Sequence, residues 1–353
     1  MTEYTVSRVF PSDKRSNQKV DELLNAENIR RDGSLDYTCA IYDDEMNVIA
    51  TGSCYENTLR CMAVSRDYQG EGLMNIIMTH LMEVQHGRGN NHLFLYTKCE
   101  SAKFFGDLGF SEIAKIENRL VFMENRRNGF SQYLSQLKTN VPDISMDKNS
   151  IVSGLVMNAN PFTLGHLYLV EKAAAESTLL HLFIVSEDAS LIPFKVRKQL
   201  VLDGTAHIKN ICYHDSGPYI ISNATFPSYF QKDSTDVITG HALLDLTIFL
   251  KIASSLGITR RYVGEEPNSL VTGIYNQIMQ EELMRSGIDC VIILRKRSGD
   301  SPISASTVRT AIKNNDIELL KSLVPQSTLD YFISNAANDI VKKIQAAENV
   351  THY

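Results

Sequence analysis

The chain has 353 residues, which suits two ordinary domains, and 43% of them are hydrophobic, enough for well-packed cores. Its net charge of −6 at pH 7 argues against non-specific nucleic-acid binding, which needs a basic surface. The sequence has no apolar N-terminal segment and no apolar run approaching roughly 18 residues, so we expect neither a signal peptide nor a membrane span.

The N-terminal part of the chain alternates short strands with two helices. The predicted strands are Asp36–Tyr42, Val48–Ser53, Thr58–Val64, His92–Thr97 and Glu112–Phe122, and the helices are 73–86 and 101–108. A polar run at 43–47 predicts a hairpin turn, and the polar, proline-containing stretch 140–150 is typical of a linker. We therefore predict an α+β domain over 1–140 and a second domain over 151–353.

From Ile151 onward, strands alternate with longer helices. The predicted strands are 151–157, 179–185, 211–214, Arg261–Gly264 and Asp289–Leu294, and the helices are 166–177, 195–209, 236–256, 272–286, 306–314 and 327–348. This rhythm predicts a Rossmann-like, doubly wound parallel sheet. Ligands bind such α/β sheets beyond the carboxyl ends of the strands.

The run Asn158–His166, with the sequence Asn-Ala-Asn-Pro-Phe-Thr-Leu-Gly-His, follows the first of these strands and opens a helix. Gly165 lets the backbone turn sharply and come close to a ligand. The helix N-terminus offers free N–H groups and a positive dipole end, which favour phosphate. His166, in the first turn, can donate a hydrogen bond to a phosphate oxygen. The segment therefore predicts a nucleotide phosphate site.

A second phosphate signal comes far downstream, in the run Ile303–Arg309, which follows a strand and a basic, glycine-containing loop and opens another helix. Ser304, Ser306 and Thr307 can cap that helix and donate to phosphate oxygens. Arg309 can supply a bidentate cationic clamp. On its own, such a serine cluster is more often only a helix cap.

Together and in this order, the two runs resemble the paired signatures of the nucleotidyltransferase superfamily, whose members direct attack at the α-phosphate of ATP and expel pyrophosphate. The first run is also similar to one found in the citrate lyase ligase family. Further blocks that resemble this family are Tyr219–Phe230, Val263–Pro267, Val271–Thr272 and Tyr275–Asn276. The resemblance covers essentially all of 151–340.

The resemblance implies an enzyme, an acid–thiol ligase that uses ATP and acetate. Acetate would attack the α-phosphorus, and the acetyl-adenylate would then acetylate the thiol of a CoA-like prosthetic group on the acyl-carrier subunit of citrate lyase. Mg²⁺ would bridge the phosphates through water and the nucleotide rather than through protein ligands. Catalysis of this kind is mainly positioning and charge stabilisation.

The implied site residues fall into three groups. The catalytic candidates are His166 and Thr163 at the α/β-phosphates, Arg309 at the β/γ-phosphates, and Lys195 or Arg197 reaching over the triphosphate. The nucleotide-binding candidates are Asn158, Asn160, Phe162, Gly165, Gly264, Glu265, Glu266, Ser304, Ser306 and Thr307. The substrate candidates are Ser222, Asn223 and Tyr229, with Asn160 and Phe162 also considered for the acetate pocket.

Several of these side chains have a plainer interpretation. Lys195 and Arg197 can be a solvated helix face, Tyr229 can be a core residue, and the carboxylates at 265–266 can be ordinary loop residues. The basic run 295–297 can meet phosphate, an acidic carrier protein or only water.

The segments Arg66–Met74 and Ala102–Phe110 resemble the pyrophosphate loop and the closing helix of GNAT acetyltransferases. Met74 stands where that loop has a small residue, and Phe105 where many of those enzymes have a tyrosine acid. The resemblance therefore implies recognition of the prosthetic arm rather than acetyl transfer by this domain itself. A domain of the same shape that has lost acyl-CoA binding is the alternative.

The six cysteines include no Cys-x-x-Cys pair, which is typical of reduced thiols and predicts a cytoplasmic protein. His80, His86 and His92 lack the spacing of ligands on a helix, so we expect no metal held by protein ligands. Two other functions stay open: an adenylyl- or cytidylyltransferase that makes a nucleotide-linked small molecule, and a non-catalytic module that senses nucleotide.

Overall fold

The structure is a computed structural model that describes residues 4–143, 145–188, 190–220, 226, 234–265, 270–299 and 301–350, except for the side chains of 234–235, 270–273 and 301. The chain divides into two compact units. The first comprises residues 1–132 and 227–244, and the second comprises residues 133–226 and 245–353.

The first unit contains a mixed sheet. Its elements are β1 Val6–Arg8, α1 Lys14–Ala26, β2 Tyr37–Tyr42, β3 Val48–Tyr55, β4 Thr58–Val64, α2 Leu73–Gly87, β5 Phe94–Thr97, α3 Ala102–Asp107, β6 Ser111–Ile116 and β7 Leu120–Glu124. Helix α4, Gly129–Thr139, begins in this unit and ends in the second. The strand order is β1-β2-β3-β4-β5-β7-β6. Only β4 and β5 pair in parallel among these described strands, and they do so at their first two residues alone. Their carboxyl ends are therefore not joined by hydrogen bonds.

The second unit contains a parallel sheet with helices between its strands. Its elements are β8 Val152–Met157, α5 Leu164–Ala175, β9 Leu179–Ile184, α6 Phe194–Thr205, β10 Ile211–Asp215, α7 Ser234–Leu256 (which begins in the first unit), β11 Arg260–Gly264, α8 Leu270–Arg285, β12 Asp289–Ile293, β13 Arg297–Ser298, β14 Ser301–Pro302, α9 Ala305–Lys313, α10 Ile317–Leu323, α11 Gln326–Ile333 and α12 Asn338–Ala346. The strand order β10-β9-β8-β11-β12 places the reversal of winding between β8 and β11.

This reversal fixes where a ligand can bind. The chain winds from β8 outward to β9 and β10, then crosses back to place β11 on the other side of β8, in register through Leu155 and Tyr262. The loops that leave β8 and β11 therefore diverge to opposite faces and open a crevice between them. Apolar residues of β8, β9, α5 and α9 form the core beneath, with Val170, Leu182 and Val308 fully buried.

The two sheets confirm the predicted α/β class, with an α+β first unit and a doubly wound second unit. The local predictions differ from the structure in three ways. No strand or helix is predicted for the segments of β1, α1, α4, β13, β14 and α10. The predicted strand 112–122 is the hairpin of β6 and β7, which turns at Asn118 in the left-handed region (φ 58°). The predicted helix 327–348 is interrupted by a 3-10 turn at Asn335–Ala337. The sequence predicts one helix there because the apolar periodicity continues across the break.

Among the described residues, one helix is long and apolar enough to cross a membrane by length and composition, the stretch Asp236–Leu256 of α7. Of its most apolar window, 56% is buried inside the protein, and core helices pass the same test. Asp245 within this stretch pairs with Arg261 of β11 at 3.0 Å, both side chains being buried. The helix is therefore weak evidence for a membrane span.

Candidate functional site

A cavity of about 320 Å³ opens at the carboxyl ends of β8 and β11 in the second unit. Its lining includes nine residues with polar or charged side chains and one glycine in the first turn of α5: Asn158, Asn160, Thr163, Gly165, His166, Glu265, Arg295, Lys296, Ser304 and Arg309. Both phosphate motifs contribute to this list. The crevice expected from the strand order and the motifs expected from the sequence thus meet at one place.

The first motif is built around the start of α5. Thr163 is the N-cap, and its Oγ1 accepts a hydrogen bond from the His166 N–H at 3.1 Å. In return, the Thr163 N–H donates to His166 Nδ1 at 3.1 Å. This reciprocal capping box satisfies two N–H groups and fixes the imidazole relative to the helix start. The remaining N–H groups of the first turn stay available for an anion.

The imidazole of His166 is neutral at pH 7. Burial, and secondarily the charge of Arg295, lower the pKa of His166 to about 4. Because Nδ1 accepts from Thr163, the one proton of the neutral ring lies on Nε2. His166 therefore presents an N–H donor that is held in place by the backbone.

Asn160 carries a buried amide without a protein partner. Its side chain is 3% exposed, and neither Oδ1 nor Nδ2 has a hydrogen-bond partner among the described residues. Its carbonyl accepts from Nη1 of Arg309 at 2.5 Å, which anchors the loop to α9. A buried unpaired amide is costly, and a ligand with both a donor and an acceptor would remove that cost.

The second motif lies directly beside the first. Ser304 is the N-cap of α9 and accepts from the Thr307 N–H at 3.1 Å. A Cβ atom at Gly165 would come within 3.3 Å of the Ile303 carbonyl oxygen, so the glycine allows the two motifs to touch. The N-termini of α5 and α9 therefore share one cavity and bring two positive dipole ends together.

The basic run after β12 supplies further positive charge. Arg295 lines the cavity, and its Nε donates to the Glu265 carbonyl at 2.7 Å. Lys296 also lines the cavity, with Nζ 5.9 Å from the ring centroid of Tyr168. From the sequence alone, these two cations can meet phosphate, an acidic carrier protein or only water. Their position just beyond the carboxyl end of a parallel strand is the signal that indicates the site.

The other predicted site residues differ in their relation to the cavity. Ser306 and Thr307 are not among the described lining residues, and their hydroxyls lie 2.8 Å from Ser304 Oγ. Phe162 is fully buried in the core, and Lys195 is exposed on α6. Gly264 lines the cavity at the end of β11.

Arg197 is fully buried and does not face the cavity. Its guanidinium donates to the carbonyls of Asn158 (2.7 Å), Val185 (2.9 Å), Ile192 (3.0 Å) and Glu187, and also to Asn158 Oδ1 at 2.7 Å. These contacts hold the loop after β8 instead of a phosphate. Ser222, Asn223, Tyr229 and Glu266 lie outside the described residues.

The first unit has a cavity of its own, of about 670 Å³. It lies where β4 and β5 are not paired and is lined by residues 62–64 and 96–98 as well as the loop 69–70. Gly72, at φ 77°, is the N-cap of α2 and also lines it. Met74 and Phe105 are part of the wall. The predicted pyrophosphate loop therefore borders a cavity.

The chain is similar to curated proteins along most of its length. A family described as "Citrate lyase ligase C-terminal domain" matches residues 152–332. The [citrate [pro-3S]-lyase] ligase of Escherichia coli K12 is 37% identical over 331 residues, which cover 92% of each chain. The protein of the same name from Klebsiella pneumoniae is 35% identical, over 93% of this chain and 95% of the relative.

Solved structures give weaker likenesses. Escherichia coli ElaA is 14% identical, covers 36% of this chain and 100% of its own, and has a TM-score of 0.31. The ribosomal-protein-S18-alanine N-acetyltransferase of Escherichia coli is 18% identical, covers 35% of this chain and 92% of its own, and has a TM-score of 0.28. Nothing about activity follows from likenesses of this strength.

Proposed function

The chain belongs to the citrate lyase ligase family, and from this membership we propose that it activates acetate with ATP and acetylates a thiol on the acyl-carrier subunit of citrate lyase. An oxygen of acetate attacks the α-phosphorus of ATP, the bond from phosphorus to the α,β-bridging oxygen breaks, and pyrophosphate leaves. The carrier thiolate then attacks the acetyl carbon of acetyl-adenylate, and AMP leaves with the oxygen that acetate supplied.

The observation that carries this proposal is the convergence of two helix N-termini and several cations on one cavity. During attack at the α-phosphorus, negative charge grows on the phosphoryl oxygens and on the leaving pyrophosphate. The starts of α5 and α9, with Arg295, Lys296 and Arg309 around them, offer fixed positive potential there. Because these groups are already in position, little reorganisation is needed during the reaction.

We assign roles within that cavity from the contacts. His166 Nε2–H donates to a non-bridging phosphate oxygen, while Thr163 fixes the ring through Nδ1. Arg295 and Lys296 balance the charge of the pyrophosphate. Arg309 and Arg197 are positioning residues, since they donate to the backbone carbonyls of Asn160 and Asn158 respectively. The paired donor and acceptor of Asn160 are offered to the nucleotide or to acetate.

We propose that Mg²⁺ arrives with the nucleotide. Among the described lining residues Glu265 supplies the one carboxylate, which is too little for a dedicated protein cage. When bound, the ion would neutralise phosphate charge, and the basic groups of the protein would share that task.

The cavity of the first unit supports a role for that unit in handling the carrier. Its volume, the glycine-containing loop at its rim and the N-terminus of the 15-residue helix α2 suit a phosphate-bearing, extended arm. We therefore propose that it receives the CoA-like prosthetic group.

The variant Gln69→Glu tests this proposal because it adds negative charge at the rim of the cavity. It should slow transfer to the carrier without slowing acetyl-adenylate formation. Gln136→Glu, at an exposed position on α4, is the matched control and should slow neither step.

The protein would work in the cytoplasm, where its six cysteines, all unpaired in the structure, stay reduced.

Acetate-dependent exchange of labelled pyrophosphate into ATP tests the proposed first step. The exchange needs ATP, Mg²⁺ and acetate but no carrier. We expect label in ATP only when acetate is present. Formation of ADP, or exchange that is indifferent to acetate, would contradict the proposal, and a stable nucleotide-linked product would favour a nucleotidyltransferase instead.

A further inference from the structure

Three potential metal ligands lie together on one face of the parallel sheet, away from the nucleotide cavity. His181 is on β9, and Cys212 and His214 are on the edge strand β10. The register places Cys212 directly opposite His181, and His214 is two residues further along, on the same face of β10. Two adjacent strands therefore present two imidazoles and one thiol as a triangle.

The ligand atoms of the three residues lie within 4.8 Å of one another. His181 Nδ1 and His214 Nε2 are 2.8 Å apart. Zinc bound to nitrogen at about 2.0 Å and to sulfur at about 2.3 Å in a tetrahedron would separate its ligands by roughly 3.3 to 3.7 Å. Small side-chain rotations, with no change in the strands, would therefore admit the ion.

The surroundings are closed to water. His181 is 0% exposed, His214 2% and Cys212 4%. The second ring nitrogens, Nε2 of His181 and Nδ1 of His214, have no partner among the described residues. The nitrogens that face each other, Nδ1 of His181 and Nε2 of His214, are therefore the ones that an ion between the two rings would bind.

We propose that His181, Cys212 and His214 form a structural site for one Zn²⁺ ion. Two imidazoles and one thiolate form a ligand set that binds Zn²⁺ in preference to Mg²⁺, because Mg²⁺ prefers oxygen ligands. The closed surroundings suit a structural rather than a catalytic ion. The fourth ligand would be the carbonyl oxygen of Asn140, which accepts a hydrogen bond from Cys212 Sγ at 3.2 Å.

Binding exchanges one bond for others without any redox change. The Cys212 thiol gives up its proton to solvent, and the hydrogen bond between the two imidazoles opens. The ring that donated in that bond moves its proton to its other nitrogen, so that both facing nitrogens, Nδ1 of His181 and Nε2 of His214, offer a lone pair to the ion. The ion then ties β9 to the edge strand β10 and, through Asn140, to the chain that follows α4. An edge strand fixed in this way is protected from fraying.

The test uses the full-length protein without an affinity tag, since added histidines would bind the same ion. After treatment with a chelator and removal of the chelator, the protein is titrated with Zn²⁺ in the absence of ATP. We expect one equivalent retained through gel filtration, and a rise in the unfolding midpoint that further Zn²⁺ does not increase. Titration with Co²⁺ should produce a thiolate-to-metal band in the near ultraviolet.

The variant Cys212→Ser should weaken Zn²⁺ binding at least tenfold and abolish the Co²⁺ band. Cys290→Ser, at a half-buried thiol on the opposite edge strand β12, is the control and should keep both. The proposal is wrong if the unaltered protein retains no stoichiometric Zn²⁺, or if Cys212→Ser binds it as well as the control does. Should Cys212→Ser fail to fold, the Co²⁺ band of the unaltered protein and of Cys290→Ser decides: its absence refutes the site.

Discussion

Substitution of His166 separates its two proposed contacts, one with the helix start and one with phosphate. Nδ1 accepts from the Thr163 N–H at 3.1 Å, and Nε2 carries the proton that faces the ligand. In His166→Asn, the side-chain oxygen can replace Nδ1 as acceptor, but nothing reaches the position of Nε2. In His166→Gln, the longer amide can reach toward phosphate but no longer matches the capping geometry.

The expected magnitudes follow from these contacts. Removing one fixed donor to a charge that develops in the transition state costs roughly a hundredfold to a thousandfold in turnover. Thr163 is 1% exposed, so leaving its N–H without a partner costs about 1–3 kcal/mol of stability. His166→Asn should therefore lose about a hundredfold in turnover with a nearly unchanged unfolding midpoint. His166→Gln should keep more turnover and lose stability.

The assay measures pyrophosphate released with acetate, ATP, Mg²⁺ and hydroxylamine as acceptor, together with thermal unfolding of each variant. Opposite orders of the two variants in turnover and in stability would support the assignment of the two nitrogens. If His166→Asn turns over within about threefold of the unaltered protein, the phosphate contact does not exist and the reasoning fails.

Three further predictions concern the same cavity. Gly165→Ala should slow turnover about tenfold, because the added Cβ moves the second motif, and it should not lower stability, because alanine favours helix. The control Gly106→Ala, where a Cβ meets nothing within 4 Å, should leave turnover unchanged. Arg295→Gln should raise the KM for ATP roughly tenfold, and Arg297→Gln, at an exposed side chain, should leave it unchanged; equal effects would contradict a specific role. Burial lowers the pKa of His166 to about 4, so the folded protein binds fewer protons than the unfolded chain between pH 6.5 and about 4. The free energy of folding that the neutral His166 ring contributes is therefore fully present above pH 6.5 and is lost as the pH falls from 6.5 to about 4. Between these pH values, the thermal unfolding midpoint of His166→Asn should change less with pH than that of the unaltered protein.

Local pattern was enough to predict the framework of the second unit. The strand–turn–helix signals at Asn158–His166 and Ile303–Arg309 are short-range, and the rule for parallel sheets brings them to one edge. The starts of α5 and α9 differ from the predicted helices by one or two residues.

What the sequence could not predict depends on three-dimensional surroundings. Arg197 has the same local pattern as a solvated helix residue, and only the folding of the loop carbonyls around it shows that it is buried. The unpaired amide of Asn160 likewise exists only because its neighbours offer no partner. The cluster of His181, Cys212 and His214 joins two strands whose pairing no periodicity specifies.

The most direct test of the central claim, that acetate attacks the α-phosphorus of ATP, follows the oxygen of acetate. The protein is incubated with ATP, Mg²⁺, hydroxylamine and acetate labelled with oxygen-18 in its carboxylate. The oxygen-18 content of the products is then measured by mass spectrometry. We expect one labelled oxygen in AMP and none in pyrophosphate, because the acetyl carbon–oxygen bond breaks when hydroxylamine attacks. Unlabelled AMP, or label in orthophosphate released with ADP, would contradict the claim.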